Sequence, residues 1–133
     1  MGILGCDCYT PLLDNSSNDQ FIAAFQELYP GEYPTPEAFG GWQSIMLYAR
    51  GVEAVGAQWA GGDRSVDPSD PADVIAAMAR LSMDTPAGPI TMSAYGKTYV
   101  ATRDFYILRS KDVGGGRVAW SPIKTYSQVL LGE

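Results

Sequence analysis

The stretch Leu81-Ser-Met-Asp-Thr-Pro-Ala-Gly-Pro-Ile-Thr-Met92 decides how the chain is read. Before it, apolar residues recur three and four apart, the spacing of a buried helical face. After it they alternate, the spacing of a strand. Pro86, Gly88 and Pro89 mark the change, because proline fixes φ and lacks a donor while glycine tolerates positive φ. Asp84 reads as a turn residue whose side chain bonds the backbone ahead of Thr85-Pro86. The segment carries no catalytic constellation.

Working back from Leu81, Asp70 as cap, Pro71 in the first turn and Asp73 beside the helix dipole open a helix. Val74, Ile75, Met78 and Leu81 form its expected buried face. The segment 56–70 reads as a loop, broken by Gly56, Gly61, Gly62 and Pro68, with Trp59 folded back as a lid on the core. A long helix is expected over 36–55, capped by Thr35. Ala38, Trp42, Ile45, Ala49 and Val52 form its apolar stripe, broadened by Met46 and Val55. Gly40 and Gly41 fall in its first turns, where glycine costs roughly 1 kcal/mol relative to alanine. Either close packing against a strand or a ligand approaching the backbone would account for them. An earlier helix starts at Ser17-Asn-Asp-Gln20, a capping-box pattern, buries Phe21, Ile22, Phe25, Leu28 and Tyr29, and ends at Pro30-Gly31. Ile3 to Cys8 reads as a buried strand, with Cys6 and Cys8 as small core-facing residues.

Working forward, Ile90–Ser93 and Asp104–Arg109 read as strands, with Thr98–Ala101 extended between them. Tyr95-Gly-Lys-Thr98 and Gly114-Gly-Gly116 read as turns, and Arg117–Trp120 returns as a hairpin partner. Tyr126, Val129, Leu130 and Leu131 are available to dock the tail. The order strand, three helices, several strands gives an α/β or α+β arrangement, with helices packed on a sheet; α/β is the class taken.

Composition narrows the function. With 133 residues the chain is one domain, and 15 acidic against 9 basic residues leave a net charge of −6. That balance argues against a nucleic-acid binder. No apolar run approaches the ~18 residues of a membrane span. There is no histidine, so the commonest general base and metal ligand is missing. The two cysteines are too few for a disulfide framework, and no further soft ligands join them in a metal site. The N-terminus lacks the basic and apolar regions of a signal peptide. No Ser/His/Asp set, phosphate loop or dinucleotide fingerprint occurs. The chain is read as non-enzymatic, with no catalytic residue, metal or cofactor.

Binding remains. Tyr9, Thr10, Glu37, Phe39 and Trp42 fall at a strand end or a helix start, where α/β folds collect ligands. For Tyr9 and Trp42 the alternative is core packing. For Glu37 it is a helix-dipole contact in an exposed first turn.

The motifs then follow a familiar order. Tyr9-Thr-Pro-Leu-Leu-Asp-Asn is followed by Asn18 and Phe21. Pro-Thr-Pro-Glu-Ala-Phe-Gly-Gly-Trp42 opens the long helix, which ends in Gly-Val-Glu-Ala-Val-Gly56. Met-Asp-Thr-Pro-Ala-Gly-Pro-Ile-Thr-Met92 and Arg-Asp-Phe-Tyr-Ile107 complete the set. This order resembles the C-terminal portion of an ABC-transporter solute-binding protein of the leucine/isoleucine/valine-binding type, a periplasmic binding protein type I. The resemblance covers nearly the whole chain, and Asp84-Thr-Pro-Ala-Gly-Pro89 is its most specific part.

The resemblance implies a partial type I architecture with a C-terminal β-hairpin. Residues 1–133 would be part of a bilobed protein that binds amino acids, amides or small carboxylates outside the cytoplasm and passes them to an ABC permease. Glu37 stands where many members carry an aromatic residue facing the ligand. The residues that usually grip an amino acid's charged ends would lie mainly outside this chain. Homodimerisation through exposed sheet edges is a further expectation. The alternative is a cytoplasmic ligand-sensing regulatory module of the same fold.

Overall fold

The structure, a computed structural model, describes residues 2–95, 98–114 and 116–130. The elements in order are β1 (Leu4–Asp7), α1 (Ser16–Leu28), α2 (Pro36–Ala60), α3 (Pro71–Met78), β2 (Ser82–Thr85), β3 (Gly88–Tyr95), β4 (Thr98–Gly114) and β5 (Arg117–Leu130). Helices pack on one antiparallel sheet, ordered β1-β4-β3-β2, with β5 on the other side of β4. The arrangement of helices on a sheet and the C-terminal hairpin are as read from the sequence. Among the described residues no helix is long and apolar enough to cross a membrane.

Local chemistry sets each boundary. Asn15, rather than Ser17, caps α1: its Oδ1 accepts from the Asn18 amide at 2.9 Å while its Nδ2 donates to the Pro86 carbonyl at 3.0 Å. One side chain thus closes the helix and ties it to the β2–β3 turn. Thr35 and Asp70 cap α2 and α3 as expected, each followed by proline. The 84–89 stretch is a tighter device than expected. Ser82–Thr85 is a strand, so Asp84 lies within a ladder opposite Pro89. Thr85 makes the turn instead, its hydroxyl donating to the Gly88 carbonyl at 2.6 Å and accepting from the Ala87 amide at 3.1 Å. Gly88, just after the Pro86-Ala87 turn, takes φ +91°, in the left-handed region that favours glycine.

The long helix departs most from expectation. It runs to Ala60, so Trp59 sits in its last turn, 37% exposed under the Arg64 guanidinium, and is not a lid. Its buried residues are Phe39, Gln43, Leu47, Gly51 and Val55, one every four positions. At 3.6 residues per turn such a row winds about 40° per step. Its start therefore faces the aromatic core and its end faces α3. Gln43 is buried because its Oε1 accepts from Arg103 Nη2. Gly51 is buried because α3 crosses there: an added Cβ would lie 2.6 Å from Met78 Cγ and 3.1 Å from the Val74 carbonyl. A polar residue and a glycine in the buried row hid it from an apolar count, and Ile45 is 70% exposed instead. A Cβ added at Gly40 or Gly41 would meet nothing within 4 Å, so close strand packing does not explain them. On α3, Val74 is buried and Ile75 is exposed.

Thr98–Gly114 is one 17-residue strand and the tail is strand to Leu130. Tyr126 and Leu130 remain exposed, so the tail pairs with β4 by backbone more than it docks side chains. Gly96, Lys97, Gly115 and Leu131 lie outside the described residues. In β1, Gly5 faces inward, 3.4 Å from the Trp120 ring by its would-be Cβ. Strand alternation then turns Cys6 outward, so it is exposed rather than core-facing. The main core gathers Tyr9, Leu13, Phe21, Phe39, Ala87, Tyr106 and Leu108.

Candidate binding hollow

Three of the five residues picked from the sequence are interior. Tyr9, Thr10 and Phe39 are each 1% exposed. Tyr9 stacks on Phe39 at 4.7 Å between centroids, Phe21 meets both edge-on, and Phe39 continues to Trp42 at 6.3 Å. The Tyr9 hydroxyl donates to Asn18 Oδ1 at 3.0 Å. Tyr9, Phe39 and Trp42 are therefore brought together as a packed nucleus. Glu37 is separate from it, exposed in the first turn of α2, its carboxyl held below the usual value by the Thr35 hydroxyl first and its own amide second.

Two hollows lie around these elements, of which only the second is lined by residues of the nucleus, Phe21 and Trp42. One, about 480 Å³, lies between the loop after Tyr9 (Pro11, Leu12), the α1–α2 connector (Glu32 to Pro36) and the tip of the β4–β5 hairpin (Val113, Arg117 to Trp120). It borders the residues adjoining Thr10 and Glu37. The Thr10 hydroxyl donates to the Trp120 carbonyl, fixing the hairpin to the buried loop. Arg117 Nη1 donates to the Gly31 carbonyl at 2.9 Å, fixing the hairpin to the connector. The second, about 620 Å³, lies between α1, α2 and β2 and is lined by Trp42, Phe21, Phe25, Met46, Met83, Arg50 and Asp84 among others. Its cation is already engaged, since Arg50 pairs with Glu53 at 2.9 Å, the one ion pair among the described residues.

Tyr33, Arg117 and Trp120 were not singled out from the sequence. The Gly114–Gly116 turn signalled a hairpin, but no local pattern tells which loop its tip touches. Among the described residues no group of three or more acidic, cysteine or histidine side chains could hold a metal ion. The Cys8 thiol is pushed up by burial, against the opposing pull of the Arg103 guanidinium, whose Nη1 lies 3.0 Å from Sγ.

Burial also raises both core phenols. Tyr106 is pushed up to about 12, by burial first and the Asp104 carboxylate second, and Tyr9 is raised by burial. Free tyrosine ionises near ~10. The folded chain thus keeps these protons where the unfolded chain releases them. The associated stability is intact below about pH 10 and is lost as pH rises through about 12. Urea midpoints should fall steeply over that window. Tyr106→Phe, which also loses the 2.8 Å bond to the Ala87 carbonyl, should lower stability at neutral pH yet show a shallower alkaline decline. An unchanged alkaline slope in that variant would remove Tyr106 from the explanation.

A family model described as periplasmic binding protein matches residues 1–116. No curated protein matches the chain. Among solved structures, an ABC transporter substrate-binding protein from Sphaerobacter thermophilus superposes with a TM-score of 0.78 at 16% identity, over 96% of this chain and 32% of that one. A solute binding protein of an ABC transporter from R. palustris, in complex with benzoate, gives 0.65 at 28% identity, over 95% and 31%. An ABC-type branched-chain amino acid transporter protein from Rhodopseudomonas palustris CGA009 gives 0.72 at 19% identity, over 96% and 31%. The chain thus spans about a third of the length of the structures it matches.

Proposed function

The chain belongs to the periplasmic binding protein family, and from that premise we propose that it is a ligand-binding, non-catalytic part of an ABC importer for small organic solutes. Its fold of helices on an antiparallel sheet is a portion of the type I architecture. The match over residues 1–116 is the observation that carries the reading. The solute-binding proteins it resembles include one in complex with benzoate and one of branched-chain amino acid type. Amino acids, amides and small carboxylates, aromatic acids included, are accordingly the solute classes proposed. The place of work is extracytoplasmic, the partner is an ABC permease, and residues 1–133 act as one unit of a longer bilobed protein.

In this reading the hollow beside the hairpin contributes to the ligand cleft. Thr10 and Glu37 border it through their neighbours, while Tyr9 and Phe39 stack on each other and pack together the loop and the helix that carry those neighbours. Trp42 contributes to the second hollow. Self-association through the unpaired edges of β1 and β5 belongs to the same proposal.

The test is thermal unfolding with a panel of amino acids, amides, benzoates and aliphatic carboxylates, on this chain and on the full gene product. A ligand at a hundred times its Kd adds about 2.7 kcal/mol, roughly 8 °C for a chain of this size. A shift confined to one chemical class is expected. No shift from any class in the full gene product would overturn the transport reading.

A further inference from the structure

We propose that Arg117 is the carboxylate anchor of the hollow beside the hairpin, and that Tyr33 and Trp120 hold the apolar body attached to that carboxylate. The proposal rests on the solute-binding reading and names the ligand class: a monocarboxylate with a flat or branched apolar body.

Arg117 is the one cation of the lining. It follows two glycines in the left-handed region, Gly114 at φ +89° and Gly116 at +72°. Those angles turn the hairpin tightly and deliver residue 117 to the mouth of the hollow. One guanidinium N–H is spent on the Gly31 carbonyl at 2.9 Å, which orients the fork. The guanidinium carbon lies 6.0 Å from the Tyr33 ring centre, on the ring's face. No carboxylate lies within ion-pair distance of it among the described residues. Of five guanidinium donors, several thus remain to meet a carboxylate side-on, the geometry arginine favours.

The walls suit the rest of such a ligand. Pro11 and Pro34 are rigid, and Tyr33 and Trp120 present large apolar faces, so little is ordered on binding. Trp120 is anchored from behind by the Thr10 hydroxyl on its carbonyl. A volume of about 480 Å³ is that of a small-molecule site. Glu32 is the one acid of the lining. It would repel a second carboxylate and attract an ammonium group. The same anchor therefore serves an aromatic acid or an apolar amino acid, and Glu32 separates them.

The experiment is titration calorimetry of the chain with benzoate, benzamide, leucine and leucinamide. Expected is binding of benzoate or leucine at least about tenfold tighter than its amide. Arg117→Gln should bring that ratio close to one, and Arg117→Lys should restore part of it. Glu32→Gln should weaken leucine and leave benzoate unchanged or tighter. Arg117 is exposed, so circular dichroism should show all three variants folded, and the carboxylate-to-amide ratio of the unaltered chain tests the anchor without any variant. A ratio near one in the unaltered chain, or a ratio untouched by Arg117→Gln, overturns the anchor and leaves the solute-binding reading standing. Failure of the unaltered chain to bind any of the four overturns the hollow as a site, and the thermal panel on the full gene product then judges the transport reading separately.

Discussion

Asn18→Leu is expected to cost about 3–5 kcal/mol, although the two side chains share the same branching of heavy atoms. Asn18 is fully buried. Its Nδ2 donates to the carbonyls of Pro11 at 3.2 Å and Leu13 at 2.8 Å, and its Oδ1 accepts from the Tyr9 hydroxyl at 3.0 Å. Leucine strands all three partners in the interior, each at about 1–3 kcal/mol. For a domain whose total stability is about 5–15 kcal/mol this is a large fraction. Asn18→Asp should do no better, because it turns a donor into an acceptor facing two carbonyls and buries charge. Urea unfolding reads the loss. A cost below about 1 kcal/mol would show that the loop from Tyr9 to Leu13 does not depend on this side chain. Combining Asn18→Leu with Tyr9→Phe should cost less than the sum of the two, since the stranded hydroxyl is gone. The loop is also a wall of the hollow through Pro11 and Leu12, so ligand affinity should fall with stability.

Gly51→Val is expected to cost about 3 kcal/mol. The nearest atoms to a Cβ at 51 are Met78 Cγ at 2.6 Å, the Val74 carbonyl at 3.1 Å and Val74 Cγ1 at 3.2 Å. Met78 can shift, but the Val74 carbonyl is helix backbone and moves only with α3. Overpacking of this kind costs about 1–3 kcal/mol, and valine adds the branch atoms beyond Cβ. The gain in helix propensity over glycine offsets only a few tenths. The control is the pair Gly40→Ala and Gly41→Ala in the same helix. There an added Cβ meets nothing within 4 Å, so each change should stabilise by up to about 1 kcal/mol. Calorimetric melting should therefore move in opposite directions within one helix. A valine at 51 that melts with the parent would mean that α3 is free to slide.

How much of this was legible depended on where the information sits in the chain. The caps at Thr35 and Asp70 and the change of period at Leu81–Met92 are local, and they were read correctly. The cap at Asn15 was missed because Ser17-Asn-Asp-Gln20 offers an equally good local pattern. The choice was made by Pro86, whose carbonyl takes the Asn15 amide from across the fold. The buried row of α2 was misread because burial there follows Arg103 and α3, not apolarity. Of the five site picks, Tyr9, Thr10 and Phe39 are interior, Trp42 is half-buried and Glu37 is exposed, because a strand end and a helix start can be read locally but the side each residue turns inward cannot. The hollow's outer wall depends on Arg117 meeting Gly31, two residues 86 positions apart. Nothing near either residue encodes that meeting.

The pairing of β1 has a consequence for synthesis. Leu4–Asp7 lies in the sheet only by its ladder to residues 106–109 of β4. Once made, β1 must therefore wait about a hundred residues for its neighbour, roughly 5–20 s at ordinary elongation rates. During that interval Ile3, Leu4 and Cys6 are an unpaired apolar segment with no lysine or proline to discourage wrong partners. The helices can form meanwhile, but the sheet cannot close around its first strand until β4 emerges. The delay between β1 and β4 thus builds an interval of exposure to aggregation and chaperone capture into the order of these elements.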